Sequence, residues 1–142
     1  MTSLEENSYR YIVSPDWLAN NLNNPRLWIA DCRFVLGQPD AGREAYHQAH
    51  IPGAHYLDLE LDLSSPVREH GGRHPLPNIE ELAQKLTNKG LSNDHIVILY
   101  DDQNSAMAAR AWWLLKYMGH QQVQILNSGL SGWRGSGYPV TN

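Results

Sequence analysis

The sequence holds a single cysteine, Cys32, so no internal disulfide can form. That usage agrees with a reducing compartment, and a cytoplasmic location is expected. Long hydrophobic runs are missing as well. The longest, such as Ala111 to Leu115, fall far short of the ~20 residues that a bilayer span requires. Residues 1–10 (MTSLEENSYR) lack an apolar signal core and read as a flexible N-terminal segment. A surplus of basic charge is also absent: the formal charge is −4, and the lysines and arginines are scattered. Neither a membrane nor a nucleic acid is therefore expected as partner.

What remains is a chain of 142 residues, the size of one domain, able to bury roughly 70% of its unfolded surface without a metal or cross-link. Tyr11-Ile-Val is β-prone and ends at Ser14-Pro15, a cap followed by a first helical residue, which predicts a helix over Pro15–Leu22. Leu27 to Cys32 is an apolar stretch of strand length. Residues 43–49 predict a short helix, broken by Ile51-Pro52-Gly53, and Ala54–Leu57 a brief strand. Asn78 and Glu81 form a capping box before Ile79, Leu82, Ala83 and Leu86, with Gly90 as the stop. His95–Tyr100 has the composition of a central strand, and Ser105–Met118 reads as a helix apolar nearly all round, hence heavily buried. Val123–Leu126 is the last strand, and glycine-rich Asn127–Gly137 leaves room for one turn around Leu130–Trp133. Such alternation predicts an α/β fold: about five mostly parallel strands with helices on both faces and ligands beyond the strands' carboxyl ends. Glu60–Pro77 is an irregular loop of unusual length, a place for function or mobility.

The strand-to-helix turn after Tyr100 begins with Asp101. Turn N–H groups and the positive end of the next helix favour a negative group there. A thiolate in that position would be a good nucleophile. A carboxylate is expected to be an internal anion that satisfies the turn's donors. Magnesium-assisted phosphoryl transfer needs a second carboxylate two residues on, and position 103 is Gln; a phosphatase-type Cys–Arg loop counted back from Arg110 reaches Asn104. Both are excluded. Cys32 reads as a small buried hydrophobe. Asp31 either ties down a neighbouring loop or pairs with Arg43 or Arg33. His47, His50 and His55 have no metal-ligand spacing, so no metal or other cofactor is expected. His70, Arg73 and His74 read as solvated surface, and Trp112, Trp113 and Trp133 as core.

The stretches IADCRF, AGREAYHQAHIPGAHYLDL, HIVILYDDQNSAMAARAWWLLKYMGH and VQILNSGLSGW resemble the rhodanese domain, from about Tyr11 to the end of the chain. They are most similar to the amino-terminal half of two-domain thiosulfate and 3-mercaptopyruvate sulfurtransferases. The resemblance implies a single rhodanese-like domain over 1–142. It also implies that Asp101 stands where the active half carries the cysteine that takes up sulfane sulfur as a persulfide. Asp102, Gln103, Asn104, Ser105 and Ala106 would form a degenerate active-site loop. Arg33 and Arg43, with Asp31 and Arg110, would be structural polar groups, and Arg43 would pair with a carboxylate. No catalytic residue is expected in this half, and a second, catalytic rhodanese domain would follow it. The chain could instead be a stand-alone binding or regulatory module, or Cys32 an unorthodox sulfur carrier.

Overall fold

Side-chain alternation along two central strands, β2 (Leu27–Asp31) and β4 (Ile96–Tyr100), sets the architecture. Trp28, Ala30, Val97 and Leu99 point to one face of the sheet, while Ile29, Ile96, Ile98 and Tyr100 point to the other. Both sets are buried, so each strand reads as an uninterrupted apolar run. The structure, a computed structural model, describes residues 11–67, 72–102 and 104–142. The expected flexible segment 1–10, His70 and Gln103 lie outside them.

Around these strands the chain adds β1 (Ile12–Val13), α1 (Pro15–Asn21), α2 (Ala41–Gln48), β3 (His55–Tyr56), α3 (Ile79–Asn88), α4 (Ala106–Tyr117), β5 (Val123–Leu126) and α5 (Gly129–Gly135). The sheet order is β1-β5-β4-β2-β3, and every neighbouring pair is parallel. Helices α3 and α4 cover the face of Val97 and Leu99; α1 and α5, with Tyr46 of α2, cover the other. The fold is thus the α/β arrangement expected, with β5 on one side of β4 and β2 on the other. That divergence opens a crevice beyond the carboxyl end of β4.

The helix starts follow their caps. Ser14 Oγ accepts the Trp17 N–H at 3.0 Å, and Asn78 Oδ1 accepts the Glu81 N–H at 3.0 Å. Helix α2 begins at Ala41, two residues before its expected start, and β3 keeps only His55 and Tyr56 of the expected Ala54–Leu57. Two expectations fail at α4. The helix is not buried all round, and Trp113 is not core: it is 47% exposed, as Tyr117 is 65% exposed. Ala108, Ala111, Leu114 and Leu115 are the fully buried ones, with Met107 and Trp112 packed at their margin, because the sheet covers a single side of the helix. Trp112 is half-buried with its Nε1 donating to Val123 O at 3.0 Å, and Trp133 is fully enclosed.

Candidate active-site loop

The loop from Asp101 to Ser105 turns β4 into α4, so it brings the first N–H groups of the helix to the edge of the sheet. Asp101 is 3% exposed and its carboxylate lies inside the turn. Oδ1 accepts the Ser105 N–H, and Oδ2 accepts those of Met107 and Ala108, all at 3.0 Å. Asn104 Oδ1 takes the remaining first-turn donor, Ala106 N–H, at 3.0 Å. A helix start normally leaves such donors to solvent or to a ligand. Here one carboxylate satisfies three of them, aided by the left-handed backbone of Ser105 (φ 66°), which turns its N–H inward.

Backbone from elsewhere holds this loop. The Leu130 and Ser131 N–H groups of α5 donate to Asp101 O and Asp102 O, each at 2.9 Å. Gly129 sits so close that a Cβ on it would lie 2.6 Å from both carbonyl oxygens. On the other side Asp31, fully buried, accepts the backbone N–H of Arg33 at 2.9 Å and its Nη2 at 2.7 Å. Arg33 Nη2 also donates to Ala49 O at 2.6 Å, tying the end of α2 to the end of β2. Tyr100, the last residue of β4, accepts the Ile51 N–H on its hydroxyl at 3.1 Å. Burial first, then the charge of Asp31, raises the pKa of that hydroxyl, which stays protonated.

A cavity of about 320 Å³ opens between this loop, Arg33–Val35 and the start of α2. Its cation, Arg33, is neutralised by Asp31, whereas Asp102 is exposed, with Ser131 Oγ 3.3 Å from its Oδ1. The balance is negative, which disfavours a dianion such as thiosulfate or phosphate. Cys32 is 1% exposed, and its N–H donates to Tyr100 O at 2.7 Å. Burial pushes its thiol well up from the ordinary value, and Asp31, Asp101 and Asp62 push it further. The thiolate that nucleophilic chemistry requires is therefore suppressed. In the folded chain Cys32 should resist iodoacetamide at mildly alkaline pH and react at full rate only in denaturant; rapid labelling of native protein would contradict this environment.

The sequence profile of the rhodanese-like domain matches residues 14–136. The chain belongs to the rhodanese family. A protein of Pseudomonas aeruginosa named "Probable 3-mercaptopyruvate sulfurtransferase" is 49% identical over 133 residues, which are 92% of this chain and 47% of that protein. The thiosulfate sulfurtransferase of Rattus norvegicus is 34% identical over 142 residues, covering 94% of this chain and 46% of the relative. Among solved structures, the 3-mercaptopyruvate sulfurtransferase from Leishmania major superposes with a TM-score of 0.85 at 28% identity, over 93% of this chain and 36% of that one. This rhodanese chain thus spans less than half the length of these relatives.

The remaining polar residues of the rhodanese motifs make their contacts elsewhere. Arg43 pairs with Asp40 at 2.5 Å on the exposed surface of α2, a contact worth about 0–1 kcal/mol. Arg110 reaches from α4 to the long loop, where its Nη2 lies 2.9 Å from both Leu63 O and His74 O. It bridges the two limbs of that loop, which Ser65 N–H and Pro75 O also join at 3.0 Å. Arg110→Ala should cost about 1.5–3 kcal/mol, the range for hydrogen bonds from a charged donor. Amide exchange at Leu63 and Ser65 should rise with it; unchanged protection there would remove the clamp. Arg73 is exposed, but His74 is not the solvated residue expected: its ring meets Phe34 edge-on at 6.2 Å and Nε2 lies 3.3 Å from Glu60. His50 stacks on Tyr46 and His55 on Trp28, with centroids 4.0 and 4.8 Å apart. Among the described residues no three His, Cys, Asp or Glu side chains converge on a point that could hold a metal, and no helix is long and apolar enough to cross a membrane.

Sequence reasoning missed the part played by α5. Its segment NSGLSGW was visible, yet nothing in it announces that Gly129, Leu130 and Ser131 brace a loop lying 29 residues earlier.

Proposed function

We propose that this chain is the non-catalytic, amino-terminal half of a two-domain sulfurtransferase. Its other half would bear the reactive cysteine and move sulfane sulfur from thiosulfate or 3-mercaptopyruvate to a thiophile such as cyanide or a thiol. The observation that carries the reading is the Asp101 carboxylate seated on three amide donors at the head of α4. A sulfur carrier needs a soft nucleophile able to hold sulfur as a persulfide. A carboxylate is a hard anion, and these oxygens are already occupied. The loop serves as a folded edge of the crevice, not as a reagent. The names of the relatives and the share of their length that this chain spans support the reading. The suppressed thiol of Cys32 argues against a separate sulfur-carrying role. A cytoplasmic location fits a chain whose one cysteine is free and buried.

Incubated with thiosulfate and cyanide, the purified chain should release no thiocyanate and gain no sulfur by intact mass. Asp101→Cys should gain one sulfur from thiosulfate. Its thiolate, favoured by the helix N-terminus, attacks the outer sulfur, forms the persulfide S–S bond and expels sulfite. Thiocyanate formed by the unaltered chain and lost in Cys32→Ser would overturn the proposal.

A further inference from the structure

A second cavity, of about 330 Å³, lies at the outer edge of β3 and shares no lining residue with the cavity beyond β4. Its size is within the range of small-molecule sites, about 300–1,000 Å³. The rings of Tyr46 and His47 line it from α2, and those of His55 and Tyr56 from β3. Three of these rings are fixed from behind. The Tyr46 hydroxyl donates to Ala54 O at 2.5 Å, the Tyr56 hydroxyl donates to Arg33 O at 2.8 Å, and His55 stacks on Trp28. Burial first, then Lys89 and His95, lower the pKa of His55, so its ring is neutral at pH 7.

The charges come from other residues. Asp58 lines the cavity at 4% exposure. Its Oδ1 accepts the N–H groups of Glu60 and Leu61 at 2.8 and 3.0 Å, whereas Oδ2 receives no hydrogen bond from any described residue. That oxygen is not sealed in: among the described residues the sealed polar side-chain atoms without a partner are Trp17 Nε1 and Gln122 Oε1. Asp62, also in the lining, uses Oδ2 to accept the Asp58 N–H at 2.8 Å, and its Oδ1 stands 3.8 Å from Lys85 Nζ, beyond hydrogen-bond reach. A nearly buried carboxylate with a free oxygen favours a charged donor such as an ammonium, and tyrosine faces attract the same group. Two cations complete the lining, Arg43 and Lys89. No ion pair among the described residues involves Lys89, and Arg43, bonded to Asp40 through Nη2, has further N–H donors to offer a carboxylate. A simple anion would be repelled by Asp58 and Asp62, and a simple cation by Arg43 and Lys89.

We propose that this cavity binds a zwitterionic α-amino acid with a large apolar side chain, its ammonium on Asp58 Oδ2, its carboxylate at Lys89 and Arg43, and its side chain between the tyrosine rings. The inference does not rest on the two-domain reading.

Isothermal titration calorimetry of the full-length protein with L-phenylalanine tests it. Binding should saturate. Hydrocinnamate, which lacks the ammonium, and phenethylamine, which lacks the carboxylate, should each bind about ten-fold more weakly or worse. Asp58→Asn keeps a carbonyl oxygen for the Glu60 and Leu61 N–H groups and puts an amide NH2 in place of Oδ2. It should weaken L-phenylalanine by about ten-fold or more and leave hydrocinnamate no weaker. Lys89→Gln, a change at a half-buried position, should weaken L-phenylalanine several-fold and leave phenethylamine no weaker. The absence of saturable binding would overturn the inference. So would equal affinities for the three compounds, or binding that neither variant alters.

Discussion

Asp101→Ala should destabilise the fold by about 3 kcal/mol, although the partners of its carboxylate among the described residues are backbone amides. The change strips the N–H groups of Ser105, Met107 and Ala108 of their acceptor at a position 3% exposed. A buried donor left unmade costs about 1–3 kcal/mol. Water entering from the adjacent cavity would recover part of the sum, which sets the total below three full penalties. Asp101→Asn, which keeps one carbonyl oxygen, should lose about half as much. Urea denaturation reads both: the midpoint should fall with the slope unchanged. A second signature separates this account from simple loss of packing. The vacated donors, at the positive end of α4, favour an oxyanion, so sulfate should raise the midpoint of the Ala variant more than that of the parent. Equal salt responses would show that the amides do not form an anion cradle.

Much of this architecture can be read from single stretches of sequence, because the signals for strands and caps are local. Ser14-Pro15 and Asn78 start helices by bonding N–H groups three residues away, and the strand of Ile96–Tyr100 is apolar because both its faces are covered. Composition misjudges the burial of α4 for a related reason. An apolar helix could be covered on every side, while the number of layers in the fold decides whether it is. The sheet takes one side of α4 and leaves Trp113 and Tyr117 outside. The site is legible only in outline. An aspartate after a strand and before a helix suggests an internal acceptor, but the turn that aims its donors depends on Ser105 at φ 66°. Serine carries none of the signal by which glycine marks a left-handed residue. The contacts from α5, and from Arg33 to Ala49, join segments far apart in sequence, and no local pattern encodes them.

Gly129→Ala should be the more damaging change, at about 3–5 kcal/mol, through a part of the chain that bears no reactive group. Two costs coincide there. The residue has φ +53°, where a side chain adds roughly 1–2 kcal/mol of strain. The new Cβ would also lie 2.6 Å from Asp101 O and Asp102 O and 2.8 Å from Asp102 C, all of them main-chain atoms with no rotamer to adjust. Helix α5 must then retreat, which lengthens the 2.9 Å bonds from Leu130 and Ser131 that fix the two carbonyls. Since Trp133 on the same helix is wholly buried, the retreat also disturbs the core on that face of the sheet. Gly135 supplies the control. It lies in α5 as well, has no positive φ, and a Cβ added there would meet nothing within 4 Å, so Gly135→Ala should be neutral or slightly stabilising. Thermal denaturation of the two variants gives the difference, and amide exchange locates it. In Gly129→Ala, protection at Ser105, Met107 and Ala108 should fall by more than the global loss seen at Val97 and Leu99. A uniform loss would mean that α5 supports the core alone, and that the carboxylate holds the loop without help from behind.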